Sequence, residues 1–231
     1  MPPRATVRGS LRRALTDFYF NSIPLVAANI VWGIGVILTL GVATASPLLA
    51  LLLAIALALP TAGIFRLATV IARDEPASFS DAMGAWRLYP RPALMAGALV
   101  VGCAIVLGFN FVIGILSGNL VLLMIGTLAA WGLVVLFMGV SAFWPVLLDP
   151  ARQQDPIRTK VKVALAVVFV APGRYLGLSV VIAFVLIVST VAFAALLTIS
   201  IAFVALTLCR YVLPTADRLE GRATFAEPIL D

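Results

Sequence analysis

Residues 92–148 decide the fold, and they read PALMAGALVVGCAIVLGFNFVIGILSGNLVLLMIGTLAAWGLVVLFMGVSAFWPVLL, 57 residues without a charged side chain. A transmembrane helix needs about 20 apolar residues, so this run is long enough for two. The polar triplet SGN at 117–119 supplies a turn between them. The segment therefore predicts a hairpin of two membrane spans, 93–116 and 120–148.

The rest of the chain has the same apolar character. It is 63% hydrophobic and 11% charged, whereas soluble domains are about a quarter charged. A second uncharged run of 48 residues separates Asp17 from Arg66. It predicts spans 23–43 and 48–71, the latter kinked by Pro60.

A third uncharged run, 35 residues between Arg174 and Arg210, is too long for one upright helix and short for two. Six spans place all 16 basic residues on one side of the membrane, as the positive-inside rule expects. Five spans would place the last arginines on the opposite side. We therefore predict spans 176–193 and 197–213, with the turn near 194–198 and five spans as the alternative.

The predicted fold class is all-α: a polytopic transmembrane bundle of six spans, possessing short amphipathic helices at the cytoplasmic interface. Both termini are expected in the cytoplasm. Three amphipathic segments precede spans, and each stops at a proline. They are 11–20 capped by Ser10, 78–89 capped by Ser78 or Ser80, and 157–170. The pattern indicates three copies of one unit, or equally a shared topology without common ancestry.

The predicted domain organisation is simple. Residues 10–213 form one transmembrane domain. Residues 1–9 and 214–231 are polar and are expected to be disordered cytoplasmic termini.

The composition argues against most catalytic chemistry. The chain has no histidine and no carboxylate inside a predicted span, so catalytic triads and zinc sites are not expected. No phosphate-binding loop or dinucleotide fingerprint is present. We expect no enzyme activity, no catalytic or metal site and no cofactor. The net charge of +6 is better explained by topology than by nucleic-acid binding.

Polar side chains inside the spans are candidate contacts. Asn29 and Trp32 lie one turn apart in the first span, and Asn110 lies in the third. They could contact a substrate hydroxyl, or they could form hydrogen bonds between helices. A water-accessible path near Asn29 and Asn110 would favour the first interpretation.

Basic side chains of the amphipathic segments are the second set of candidates. They could contact a protein partner or anionic lipid headgroups. The set comprises Arg87, Arg91, Arg158, Lys160 and Lys162.

Several motifs resemble the YesL-like family of integral membrane proteins. The first is Asn-x-x-Trp at Asn29 and Trp32, and the second is PTAGIFRLATVIARDEP at 60–76. The others are SFSDAMGAWRLY at 78–89, FWPVL at 143–147 and VALAVVFVAPGRYL at 163–176. The resemblance implies a multi-pass protein of the bacterial cytoplasmic membrane, sometimes associated with carbohydrate uptake, and it implies no activity.

Three functions are consistent with these features. The protein could be an accessory or component of a transport system, with carbohydrates as the cargo that the resemblance implies. It could be a self-contained permease for a small neutral solute. It could also be a structural or regulatory protein that binds lipid or a membrane partner.

Overall fold

A computed structural model describes residues 6–222. This part of the chain consists of helices and short connections. In chain order the helices are α1 (Val7–Phe20), α2 (Ser22–Ala43), α3 (Pro47–Ala72), α4 (Phe79–Leu88), α5 (Pro90–Leu116), α6 (Leu120–Leu148), α7 (Ile157–Val170), α8 (Pro172–Val191) and α9 (Phe193–Glu220).

Six of these helices are long and apolar enough to cross a membrane, namely α2, α3, α5, α6, α8 and α9. The predicted six-span bundle is confirmed, and the protein is a multi-pass membrane protein. The other three, α1, α4 and α7, have 14, 10 and 14 residues and are too short to span. Helix α7 has the predicted bounds.

Helices α8 and α9 form the predicted hairpin. Tyr175 near the start of α8 packs against Tyr211 near the end of α9, with ring centroids 6.1 Å apart. The reversal occurs at Ala192 (φ −92°, ψ 70°), so the predicted turn at 194–198 was placed too late. Residues 196–200 instead form a π-helical turn at the start of α9. No glycine or proline marks this reversal in the sequence.

Helix α3 is interrupted at Leu57, three residues before Pro60. Proline has no N–H to donate to the carbonyl of Ala56, and its ring crowds that carbonyl. The Thr61 hydroxyl donates to the Leu57 carbonyl at 2.7 Å. The predicted kink is confirmed.

Both predicted disordered termini are partly wrong. Helix α1 already begins at Val7, where the Thr6 hydroxyl accepts from the Gly9 N–H at 3.2 Å. Ser10, the expected cap, is buried inside the helix. Helix α9 continues to Glu220, because side chains between 214 and 220 pair with distant parts of the chain, and Gly221 (φ 64°) ends it. Residues 1–5 and 223–231 lie outside the described part.

The helices form three units of one surface helix and one hairpin: α1–α3, α4–α6 and α7–α9. The second span of each hairpin, α3, α6 or α9, packs against the other two and is called an inner helix. Helix α4 packs on α3, α7 on α6 and α1 on α9. Each surface helix thus packs on the inner helix of the preceding unit, and α1 closes the ring on the last. This cyclic arrangement supports the predicted threefold repeat.

The α5–α6 hairpin extends the bundle into the lipid. Its helices touch at Gly114, where a Cβ atom would lie 2.7 Å from the Cα of Gly126. Farther out, large apolar side chains are exposed; Phe109 is 65% and Trp131 62% exposed. Such surface is compatible with acyl chains rather than with water, so these spans contact lipid.

Candidate functional site at the charged end of the bundle

The inner helices end at one face of the bundle, here called the charged end. Five side chains from their termini form an ion cluster: Arg73 after α3, Asp149 and Arg152 after α6, and Asp217 and Glu220 in α9. It joins one residue or more from each of the three units.

Arg73 bridges two carboxylates. Its Nε and Nη2 donate to Asp149 at 3.0 and 2.5 Å. Its Nη1 and Nη2 donate to Asp217 at 2.7 and 3.0 Å. Two parallel pairs of this kind fix the planar guanidinium in one orientation. Arg73 therefore connects the ends of α3, α6 and α9.

Arg152 makes a second bridge, between Asp149 and the two carboxylates of α9. Its Nη2 donates to Asp217 and to Glu220, both at 2.6 Å, and its Nη1 pairs with Asp149. The residue is 1% exposed and Asp149 is fully buried. The two arginines and three carboxylates alternate, and they sum to −1 (+2 and −3). Arg222, whose Nε lies 3.0 Å from Glu220, offsets this excess.

The environment of both arginines favours their charged form. Burial alone would lower the pKa of Arg73, but its hydrogen bonds to Asp217 and Asp149 more than offset that effect and the pKa is raised. Burial likewise opposes the charge of Arg152, while Asp149, Glu220 and Asp217 raise its pKa. Both side chains therefore remain cationic at any physiological pH.

A second ion pair ties α1 to the bundle. Arg210 of α9 donates to Asp17 of α1 at 2.6 and 3.0 Å and to Asp74 at 2.9 Å. It also donates to the carbonyls of Ile71 and Ala72, the last residues of α3. A cation at a helix C-terminus is favoured by the helix dipole.

The end of α6 is capped in a similar way. Arg66 donates to the carbonyl of Leu148 at 2.9 Å, and the Thr69 hydroxyl donates to the same oxygen at 3.1 Å. The ammonium of Lys160 donates to the carbonyl of Leu147 at 3.3 Å. Cationic side chains thus satisfy carbonyls that the helix leaves unpaired.

These contacts join the three units to one another at the charged end. Each carboxylate of the ion cluster is engaged by arginine. Between residues 6 and 222, no group of three or more histidine, cysteine or acidic side chains is arranged to hold a metal ion. Breaking one partner of a buried ion pair costs about 3–5 kcal/mol, so the cluster holds the inner helices together strongly.

Asn29 is used inside the protein. It is fully buried, its Nδ2 donates to the Leu196 carbonyl at 3.0 Å, and its Oδ1 accepts from the Ala202 N–H at 2.9 Å. These two backbone groups flank the π-helical turn of α9. Gly33, one turn further, allows the approach, since a Cβ there would lie 2.9 Å from the Leu197 carbonyl. The hydrogen-bond interpretation of Asn29 is the one that the contacts support.

Trp32 and Asn110 do not join Asn29 in a polar path. The indole of Trp32 donates to Thr61 at 3.1 Å, beside the kink of α3. Asn110 lies on another hairpin and donates to the Val106 carbonyl of its own helix at 2.8 Å. The three predicted intramembrane contacts are therefore separate, and each has a partner within the protein.

The predicted basic contacts divide into two groups. Arg87, Arg91, Arg158 and Lys162 are exposed, as a surface for headgroups or a partner requires. Lys160 is 2% exposed, so its assignment to that surface was wrong. The face of α7 that carries Lys160 packs on α6, which buries the side chain. Its ammonium also lies 5.4 Å from the centre of the Tyr89 ring.

The ion cluster was not evident from the sequence. Arg73 is 76 residues from Asp149 and 144 from Asp217, and nothing local relates them. One signal was present: each inner helix has a charged residue at or near its end on the same side of the membrane. An alignment of the three units on those residues places Arg73, Asp149 and Asp217 at equivalent positions.

No family model matches the sequence, and no curated protein or solved structure is significantly similar to it. The resemblance to the YesL-like family stays a prediction. What is established is a multi-pass helical membrane protein with a threefold arrangement of units and a buried ion cluster at one end.

Proposed function

We propose that this protein is a non-enzymatic accessory subunit of a membrane assembly, and that it contacts its partner through exposed basic side chains at the charged end. Its location would be the bacterial cytoplasmic membrane with both termini in the cytoplasm. The positive-inside rule supports that orientation. The motifs shared with the YesL-like family favour a carbohydrate transport system as the assembly.

The observation that carries this proposal is the division of the charges. The buried arginines are paired within the bundle, whereas Arg87, Arg91, Arg158 and Lys162 are exposed and form no ion pair within residues 6–222. These four add +4 to the surface of α4, the start of α5 and α7. Such a patch attracts acidic surface from outside, and rim charges of this kind mainly set the rate and specificity of association.

The permease alternative has less support. Asn29, Trp32 and Asn110 each have a partner inside the protein, and the three side chains do not converge on one path. A shallow polar depression lies over the loop at 150–155, lined partly by Gln153, Gln154 and Arg222, and it is outside the six spans. Uptake of labelled sugars into liposomes that contain the purified protein alone would support the permease function instead.

The experiment is site-specific photocrosslinking in cells. A photoreactive amino acid at position 87 or 158 should capture a distinct partner, and one at Ser117, in the turn at the opposite end, should not. Arg87→Glu with Arg91→Glu should reduce crosslinking at 158 at least several-fold while the protein level stays normal.

The matched control reverses two exposed arginines of another surface helix, Arg8→Glu with Arg12→Glu. Equal loss in both double variants would indicate a general electrostatic effect instead of a docking surface. Unchanged crosslinking in the Arg87/Arg91 variant would contradict the proposal.

A further inference from the structure

The three units can be aligned residue by residue on their surface helices. Each surface helix is followed by a single residue and then by a span; these residues are Asn21, Tyr89 and Ala171. Seven positions earlier stand Ala14, Ala82 and Ala164, which are 0%, 1% and 3% exposed. Four positions later stand Leu25, Ala93 and Tyr175, all fully buried. The same register is thus buried in all three units.

The inner helices agree with this register. Arg66 of α3 donates to the carbonyl of Leu148, the last residue of α6, and Arg210 of α9 donates to that of Ala72, the last residue of α3. Each arginine lies seven residues before the ion-cluster residue of its own helix, Arg73 or Asp217. Arg66 and Arg210 are therefore equivalent, and Ala142 occupies the same position in α6.

The three seams between an inner helix and its surface helix can be compared at these positions, and they differ in charge. At the α9–α1 seam, Arg210 pairs with Asp17, four residues before Asn21. The equivalent residues are Val167 in α7 and Ala85 in α4.

At the α6–α7 seam both equivalent positions are apolar, Val167 in α7 and Ala142 in α6. At the α3–α4 seam the arginine has no matching carboxylate. Arg66 occupies the position equivalent to Arg210, but Ala85 occupies the position equivalent to Asp17. Within the described chain, Arg66 forms no ion pair.

Two hydrogen-bond donors of the segment 86–89, which packs on α3, also lack a partner. The phenol oxygen of Tyr89 and the indole Nε1 of Trp86 are buried and have no hydrogen-bond partner, and Tyr89 is only 8% exposed. A Cβ at Gly63, one turn before Arg66, would lie 2.8 Å from that Nε1. Buried donors without acceptors are rare in folded proteins and call for an explanation.

Lys160 adds a second cation to the same place. Its ammonium lies over the Tyr89 ring, and its hydrogen bond within the described residues goes to a backbone carbonyl. The carboxylates whose charges act on it, Asp155 and Asp149, are already engaged. Asp155 accepts from Arg222 at 2.6 Å, and Asp149 belongs to the ion cluster.

We propose that Arg66, Lys160, Tyr89 and Trp86 form a binding site for a phosphate-type oxyanion at the α3–α4 seam. The anion takes the role that Asp17 plays opposite Arg210. Arg66 and Lys160 donate to the adjacent carbonyls of Leu148 and Leu147, and Lys160 lies over the Tyr89 ring. The donors thus come from α3, from α7, and from α4 with the residue that follows it. Such a donor set suits a tetrahedral anion with several oxygens better than a two-oxygen carboxylate. The site lies at the charged end, so either a phospholipid headgroup or a dissolved phosphate can supply it.

This site is independent of the partner surface proposed above, because its members are buried or half-buried while that surface consists of exposed side chains. The two proposals are therefore tested by different variants.

The first experiment is calorimetric titration of inorganic phosphate into the full-length protein in a neutral detergent. The wild-type protein should bind at submillimolar concentration. Ala85→Asp should reduce affinity at least about a hundredfold, because an internal carboxylate then pairs with Arg66. Tyr89→Phe should reduce affinity about tenfold by removing one donor. It also removes a buried unpaired hydroxyl, so it should fold normally.

A matched pair of lysines on α7 supplies the control. Lys160→Gln should weaken phosphate binding, whereas Lys162→Gln, which removes the same charge from an exposed position, should leave it unchanged. Equal effects of the two would overturn the assignment of a specific site.

The second experiment is native mass spectrometry of the protein released from bilayers that contain phosphatidylglycerol. Retained phospholipid that Ala85→Asp and Tyr89→Phe both remove supports a headgroup as the source. Phosphate binding without retained lipid supports a dissolved anion. Failure of the wild-type protein to bind either one, or binding that neither variant weakens, would overturn the proposal.

Discussion

Replacement of Asn29 by leucine tests what holds the first unit to the third. Leucine has nearly the same branched shape as asparagine but makes no hydrogen bond. In Asn29→Leu, the Leu196 carbonyl and the Ala202 N–H lose the amide that bonds to both. Both groups lie in a span, where water does not replace the lost partner. The π-helical turn between them does not offer the regular α-helical partners.

The size of the effect follows from two bounds. Leaving one buried polar group unpaired costs about 1–3 kcal/mol, so two groups give about 2–6 kcal/mol. Hydrogen bonds inside membrane proteins average about 0.6 kcal/mol in double-mutant cycles, which sets a lower bound of roughly 1 kcal/mol for two. Because Asn29 is fully buried and carries both bonds, we expect about 2–4 kcal/mol.

Thermal unfolding in a mild detergent measures this loss. For a chain of about this size, 1 kcal/mol shifts Tm by about 2–4 °C, so Asn29→Leu should melt at least about 4 °C below the wild-type protein. Asn110→Leu is the matched control. Asn110 bonds only to its own helix in the described structure, so its replacement should change stability by no more than about 0.5 kcal/mol.

A wild-type Tm for Asn29→Leu would refute this reasoning, and it would return Asn29 to the candidates for substrate contact. Equal destabilisation by the two variants would show that any asparagine in a span matters, whether or not it bridges helices.

Three further outcomes are expected. Asp149→Asn should lower the free energy of unfolding by about 3 kcal/mol or more, because two buried arginines lose a shared carboxylate. An unchanged Tm would contradict the inference that the ion cluster holds the inner helices together. Gly114→Leu should disrupt the α5–α6 hairpin and reduce the folded yield, whereas Gly139→Leu, where a Cβ meets nothing within 4 Å, should not; the folded fraction in size-exclusion chromatography compares them. Reporter fusions after Arg222 should read cytoplasmic and fusions at Asn119 external, and a cytoplasmic signal at Asn119 would contradict the orientation.

Local features predicted most of the helices. The capping box at Ser78, in which Asp81 accepts from the Ser78 N–H at 2.8 Å, and Pro90 together bound α4. Pro156 and Pro172 bound α7 in the same way. These signals act within a few residues, so a single sequence is sufficient to read them. The reversal at Ala192 has no such signal, and its predicted position was wrong by a few residues.

The candidate site was less predictable. Asn29 could be identified as important, but its partners lie 167 and 173 residues away. Lys160 and Lys162 look alike in the sequence, and only the packing of α7 on α6 makes the first buried and the second exposed. The helical register of an amphipathic segment shows that it has two faces, but the charge of a residue does not show which face is covered.

The sequence by itself determined that the chain crosses a membrane several times, and it predicted six spans, with five as the alternative, and charges gathered at one end. Apolar length and charge placement are sufficient for this, because the bilayer rejects unpaired charge wherever it occurs along the chain. Only the tertiary structure decided how the three units meet in a ring. That choice depends on contacts between distant residues, such as Arg73 with Asp149 and Asp217, or Asn29 with the turn at 196–200. The unmatched Arg66 is visible only once that ring is closed, because it is defined by comparison with Arg210 across the molecule.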